Sequence, residues 1–110
     1  MLIVLGSVVV RDDHFGEALR LSREHVARSR QEPGCRHHAV MPDPDHPGRL
    51  VFLEQWASAE DLFRHFKVPA SVAFARSLAA LAAEGPEMKV YEARELALPK
   101  AAPSHPPGGR

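Results

Sequence analysis

The stretch Glu32–Trp56, EPGCRHHAVMPDPDHPGRLVFLEQW, decides the fold. Gly34 follows Pro33, so the backbone turns sharply where a preceding helix stops, and Cys35 to Met41 alternates enough to run as a strand. Pro42, Pro44 and Pro47 remove backbone donors and restrict their neighbours, which makes Pro42 to Gly48 a loop between two strands. Arg49 to Ala57 resumes as a strand, with Leu50, Phe52, Glu54 and Trp56 on one face and Val51, Leu53 and Gln55 on the other. Glu54 therefore shares a face with two aromatics. A carboxylate in that position is paired, hydrated in a pocket, or raised in pKa, because an unpaired buried charge is costly.

Outward from this hairpin, Leu2 to Val10 is rich in β-branched residues and apolar on both alternating faces, the pattern of a strand covered on both sides. Asp12 or Asp13 can cap a helix that carries Phe15, Ala18, Leu19, Ser22 and Val26 at helical spacing and ends near Gln31. Ser58-Ala59-Glu60-Asp61 has the spacing of a capping box and opens a second helix with Leu62, Phe63 and Phe66 on its apolar side. Pro69 interrupts it; Ala70, Ala73, Phe74, Ser77, Leu78 and Leu81 resume the stripe until Gly85-Pro86, and Met88 to Leu96 reads as a final strand. Residues 1–97 make one domain, and residues 98–110 read as a Pro/Gly-rich tail without packing residues, expected to be disordered.

The order strand, helix, strand, strand, helix, strand is the ferredoxin-like α+β arrangement, an antiparallel sheet with its helices on one face. In an isolated domain the other face meets water and is polar. Here Ile3-Leu5-Val9 or Leu2-Val4-Val8-Val10 is left over on that face, joined by Val51 and Leu53. A second copy of the chain, related by a two-fold axis, is the simplest cover, so a homodimer is expected.

Composition narrows the partners. With 110 residues, 45% of them hydrophobic, and a formal net charge of zero, the chain has enough apolar material for one core and no basic surface for nucleic acid. The single cysteine, Cys35, excludes an internal disulfide, and the apolar start lacks the basic leader of a secretory signal and is too short to span a bilayer. A cytoplasmic protein with neither membrane nor nucleic-acid partners is the expectation.

Several segments carry a resemblance. Ser29-Arg30-Gln31-Glu32-Pro33-Gly34-Cys35, the loop Asp43-Pro44-Asp45-His46-Pro47, the Glu54-x-Trp56-x-Ser58-x-Glu60 run, and His65 four residues before Pro69 resemble the antibiotic biosynthesis monooxygenase domain family over residues 1 to about 97. The resemblance implies a dimeric α+β barrel of ferredoxin-like protomers, a ligand pocket between sheet and helices, and oxidation of phenolic or quinol rings by O2 without metal or flavin. Where relatives often carry tyrosine or phenylalanine, three residues after Cys35, this chain has His38. Haem-degrading relatives use an asparagine, a tryptophan and an axial histidine where this chain offers Ser7, His65 and Ala75, so a haem anchor is missing.

The catalytic candidates are His65, Glu54 and His38. His65 reads either as an acid or base in the pocket or as a ring favouring a helix C-terminus. Glu54 is either a structural partner or a pocket carboxylate, and Trp56 either core or a stacking surface for a flat ligand. Ser7, Phe66 and Phe74 complete the expected walls for a small aromatic ligand. His37 and His38 point to opposite faces of a regular strand, which is poor metal spacing, and His14, His25, His46 and His105 are expected to be solvated. Cys35 reads as packing rather than nucleophile, and no phosphate loop or nucleophile elbow occurs. No metal and no cofactor are expected. The competing class is a non-catalytic small-molecule-binding or dimerisation module of the same fold.

Overall fold

The computed structural model describes residues 1–100. The chain runs β1 (Leu2–Val10), a 3-10 turn (Asp12–His14), α1 (Phe15–Ser29), β2 (Cys35–Pro42), β3 (Arg49–Trp56), α2 (Ala59–Lys67), α3 (Pro69–Leu81) and β4 (Ala82–Glu92). The strands form one antiparallel sheet in the order β2-β3-β1-β4, the ferredoxin-like arrangement read from the sequence. The most β-branched strand, β1, is central, paired with β3 on one side and β4 on the other.

Alternation in β1 settles which face meets the helices. Leu2, Val4, Val8 and Val10 are buried, whereas Leu5 on the opposite face is 47% exposed. Two apolar clusters result. Val8, Val10, Leu50, Ala18 and Leu78 fill one end of the layer between sheet and helices; Leu2, Val4, Trp56 and Leu62 fill the other. Between them the helix-facing position of β1 is Gly6, which pairs with Phe52 and Met88 and contributes no side chain to the layer. On the open face Leu5 lies opposite Leu53, which lies opposite Ala39, and Met41 pairs with Val51, so an apolar strip crosses three strands.

Several local expectations change. Ser58 caps α2 by accepting from the Asp61 amide, as its spacing predicts, but neither Asp12 nor Asp13 caps α1. Val68 is extended, and Pro69 opens α3 as a separate helix. The helix ends at Leu81 rather than at Gly85, and β4 begins at Ala82, not at Met88. Pairing with β1 is the reason: the Arg11 amide donates to the Leu81 carbonyl and Val10 aligns with Ala82, so sheet pairing overrides the helical propensity of Ala82 and Ala83. Gly85, at φ +79°, sits where the register shifts inside the strand. β4 stops at Glu92, short of the expected Leu96, because Glu92 already pairs with Leu2 at the start of β1. The expected tail lies outside the described residues from residue 101 onward. Among the described residues, no helix is long and apolar enough to cross a membrane.

The turn at Gly34 ties the sheet to α2. Gly34 has φ +80°, its carbonyl accepts from the Ala57 amide, and a Cβ there would fall on the Asp61 side chain. Asp61 cannot swing away freely, since its two oxygens accept from Ser58 and Arg64, each at 2.9 Å. Gly34→Ala should therefore cost roughly 2–4 kcal/mol, combining left-handed backbone strain with overpacking, measured by urea unfolding.

Candidate functional site

The missing side chain at Gly6 leaves room for a cavity of about 470 Å3 between sheet and helices. Its walls are largely apolar, from Phe52, Phe66, Phe74, Leu78 and Met88. Its polar lining includes His25 from α1, His38 from β2, Glu54 from β3 and His65 from α2. A cavity of this size, with few convergent polar groups, suits a small ring-shaped ligand.

Each polar group arrives through its own element. His38 and Glu54 pair across the β2–β3 ladder and so share the helix-facing side; the extra residue between Cys35 and His37 sets that phase. His38 is 1% exposed, while His37 on the other face is exposed. Glu54 Oε1 accepts from the Trp56 indole at 2.8 Å, and its Oε2 comes within 3.5 Å of His38 Nε2 without forming a hydrogen bond. His65 lies in the last turn of α2, 3% exposed, with Nδ1 2.7 Å from Glu32 Oε1. With the carboxylate accepting, Nδ1 carries the proton and the lone pair is left on Nε2.

His25 corrects the expectation of a solvated ring. It is 6% exposed and stacks on Phe74, with ring centroids 4.1 Å apart and planes 10° apart. Its centroid lies 5.3 Å from that of His38 and 5.2 Å from that of His65. The three histidines each bring a ring nitrogen within 4.8 Å of the others. The signal for His25 was available in the sequence: Ala18, Ser22, His25 and Ser29 fall on one helical stripe, and all four are buried. Glu32, the other group not anticipated, belongs to the turn between α1 and β2, and nothing local announces that it reaches α2.

Burial governs the electrostatics. It lowers the pKa of His25 to about 3, with His65, whenever that ring is protonated, and Arg28 adding to the effect. His38 is likewise lowered to about 3, by burial first and then by His25, His65 and Arg30. Burial raises Glu54 above the carboxylate range, while the Trp56 hydrogen bond pulls it back down. Both histidines are thus neutral at physiological pH. Burial also raises the Cys35 thiol, in line with a packing role.

Among the other expected wall residues, Ser7, Phe66 and Phe74 line the cavity. Trp56 does not. It is fully buried against Leu2, Val4 and Leu62, its ring 4.7 Å from that of His65, and acts on the site through its hydrogen bond to Glu54.

Residues 1–77 match the family model described as Antibiotic biosynthesis monooxygenase. The chain belongs to the antibiotic biosynthesis monooxygenase family. A curated relative, an uncharacterized protein of Synechocystis sp., is 30% identical to this family member over 94 residues, 86% of this chain. The match spans 64% of that relative's length. A Deinococcus radiodurans protein superposes with a TM-score of 0.84 at 24% identity, covering 92% of this chain and all of the other, and shares the fold. A solved antibiotic biosynthesis monooxygenase is 25% identical, with a TM-score of 0.80 over 86% of this chain and all of its own.

In this family member the Trp56–Glu54 bond joins core to cavity, which two substitutions can separate. Trp56→Phe removes the donor and part of the ring volume, and should cost about 2–4 kcal/mol in urea unfolding. Glu54→Gln keeps an acceptor for the indole and should cost less than about 1 kcal/mol.

Proposed function

We propose that this chain is a monooxygenase that uses O2 to oxidise a small phenolic or quinol-type ring, with the ring itself supplying the electrons. Supporting this is one observation: an apolar cavity lined by His65, whose Nδ1 is held by Glu32 behind it, in a chain of this family. In overall terms a phenol and O2 give a quinone and water, so neither flavin nor nicotinamide is needed as an electron source.

His65 Nε2 takes the phenolic proton while Glu32 stabilises the resulting imidazolium. The phenolate passes one electron to O2, and the two radicals combine as a peroxide on a ring carbon. The imidazolium of His65 protonates the peroxide, and the imidazole so restored takes the hydrogen from that carbon as a proton while the carbonyl forms and the O–O bond breaks. The departing hydroxide takes the proton held by His65 and leaves as water. Phe52, Phe66 and Phe74 hold the ring and keep bulk water out. Glu54 and His38 orient the substrate oxygen beside His65.

Oxygen uptake with a panel of flat phenols and hydroquinones tests this reading. His65→Ala should lower uptake roughly 10^2–10^4-fold, the range for one general base. If no member of the panel is consumed by the unaltered chain, the monooxygenase reading fails and a small-molecule-binding protein remains.

The same reading includes a second copy of the chain on the open face of the sheet. Leu5 at 47% and Met41 at 45% exposure lie on the strip that crosses β1, β3 and β2, where a lone domain would carry polar residues. Light scattering should give twice the chain mass in dilute solution, and Leu53→Glu should shift it to the monomer while the far-ultraviolet spectrum stays folded.

A further inference from the structure

His25, His38 and His65 come from α1, β2 and α2, and each brings one ring nitrogen into a single space less than 4.8 Å across. All three rings are more than nine-tenths buried. Three of their nitrogens, His25 Nδ1 and both nitrogens of His38, have no hydrogen-bond partner among the described residues. Leaving buried ring nitrogens unpaired is costly, and gathering three imidazoles in one place repeats that cost unless something accepts their lone pairs.

We propose that the three histidines form a binding site for one divalent first-row transition-metal ion, with the cavity supplying its open coordination positions. Imidazole is the ligand type preferred by zinc, copper, nickel, cobalt and iron, and calcium or magnesium would call for oxygen donors instead. Glu32 has the place of the outer carboxylate that metal-bound histidines commonly have. At 2.7 Å it holds the proton on His65 Nδ1, which commits Nε2 to be the ligating atom and makes it more basic. Glu54, 3.5 Å from His38 Nε2, lines the cavity beside that ring and is available as a fourth ligand or as the partner of a metal-bound water.

The geometry requires only a small contraction. Bonds of about 2.0–2.1 Å in a tetrahedral arrangement place ligand nitrogens about 3.3 Å apart, so the widest pair here must close by roughly 1.5 Å. Ring rotations can supply that. Stacking on Phe74 holds the plane of His25, and the Arg30 side chain donating to the His38 carbonyl at 3.0 Å fixes the β2 backbone from which His38 projects.

This inference goes beyond the monooxygenase reading and shares its cavity. The Nε2 lone pair of His65 cannot both hold a cation and accept the substrate proton. In the loaded protein, coordination of the phenolic oxygen to the cation would promote loss of its proton, and Glu54 would receive it. Metal binding is nevertheless measured without substrate or O2, so the two readings can fail separately.

The test uses the whole chain, free of any affinity tag and stripped with a chelator, titrated with Zn2+, Co2+, Ni2+ and Cu2+ by calorimetry and elemental analysis. The expected result is one ion per chain, with visible Co2+ bands of four- or five-coordinate intensity. His38→Ala and His25→Ala should abolish stoichiometric binding, and Glu32→Gln should weaken it roughly 10–100-fold. His37→Ala, which alters an exposed ring on the other face of β2, should leave it unchanged. Circular dichroism identifies any variant that fails to fold, and Glu32→Gln together with the Co2+ spectrum of the unaltered chain still decides the matter. The proposal is overturned if none of the four ions binds stoichiometrically, or if binding persists at full strength in folded His38→Ala.

Discussion

Taking imidazole and carboxylate groups out of water in the middle of a small domain is the constraint on which the rest of this structure depends. His25, His38, His65 and Glu54 occupy the gap between two apolar clusters, and each cluster supports one side of it. Trp56 is the connection: one ring fills the core beside Leu62 while its N–H satisfies Glu54. Glu32 is the second, holding His65 from a turn that is itself fixed by the left-handed Gly34. Loss of either would leave a charge or a lone pair without its partner in a dry environment, where such groups are expensive.

The cavity follows from that arrangement. Along β1 the helix-facing positions read Leu2, Val4, Gly6, Val8 and Val10, so side chains seal the layer everywhere except at its middle. Phe52 and Phe74, with rings 6.4 Å apart, and His25 stacked on Phe74 line the space that Gly6 vacates. The result is an apolar compartment whose reactive groups come from four elements, α1, β2, β3 and α2. Such a site is precise because each ring is held by its own helix or strand and not by a loop. Its polar lining offers the neutral imidazoles of His25 and His38, His65 held from behind by Glu32, and the Glu54 carboxyl of raised pKa, a set able to move protons at a ring oxygen or to bind a divalent transition-metal ion.

By itself the sequence determined the order of elements, the hairpin at Glu32–Trp56, the Ser58 cap, the helix break at Pro69 and the apolar character of both faces of β1, because periodicity, proline and glycine act over a few residues. By simple alternation it also set Glu54 on the face of Phe52 and Trp56 and His38 on the face opposite His37, but the extra residue after Cys35 that turns His38 toward the helices shows only in the strand pairing. Only the tertiary structure decided where α3 gives way to β4, since the partner that draws Ala82 into the sheet is Val10, seventy-two positions earlier in the numbering. It alone brought His25, His38 and His65 together, because three ligands on three elements have no spacing that a linear reading can recognise. It also decided between the two readings of Trp56, core residue or stacking surface, because that choice depends on whether Leu2, Val4 and Leu62 reach the ring first. Local rules act through neighbours in the chain, whereas the chemistry of this site depends on neighbours in space.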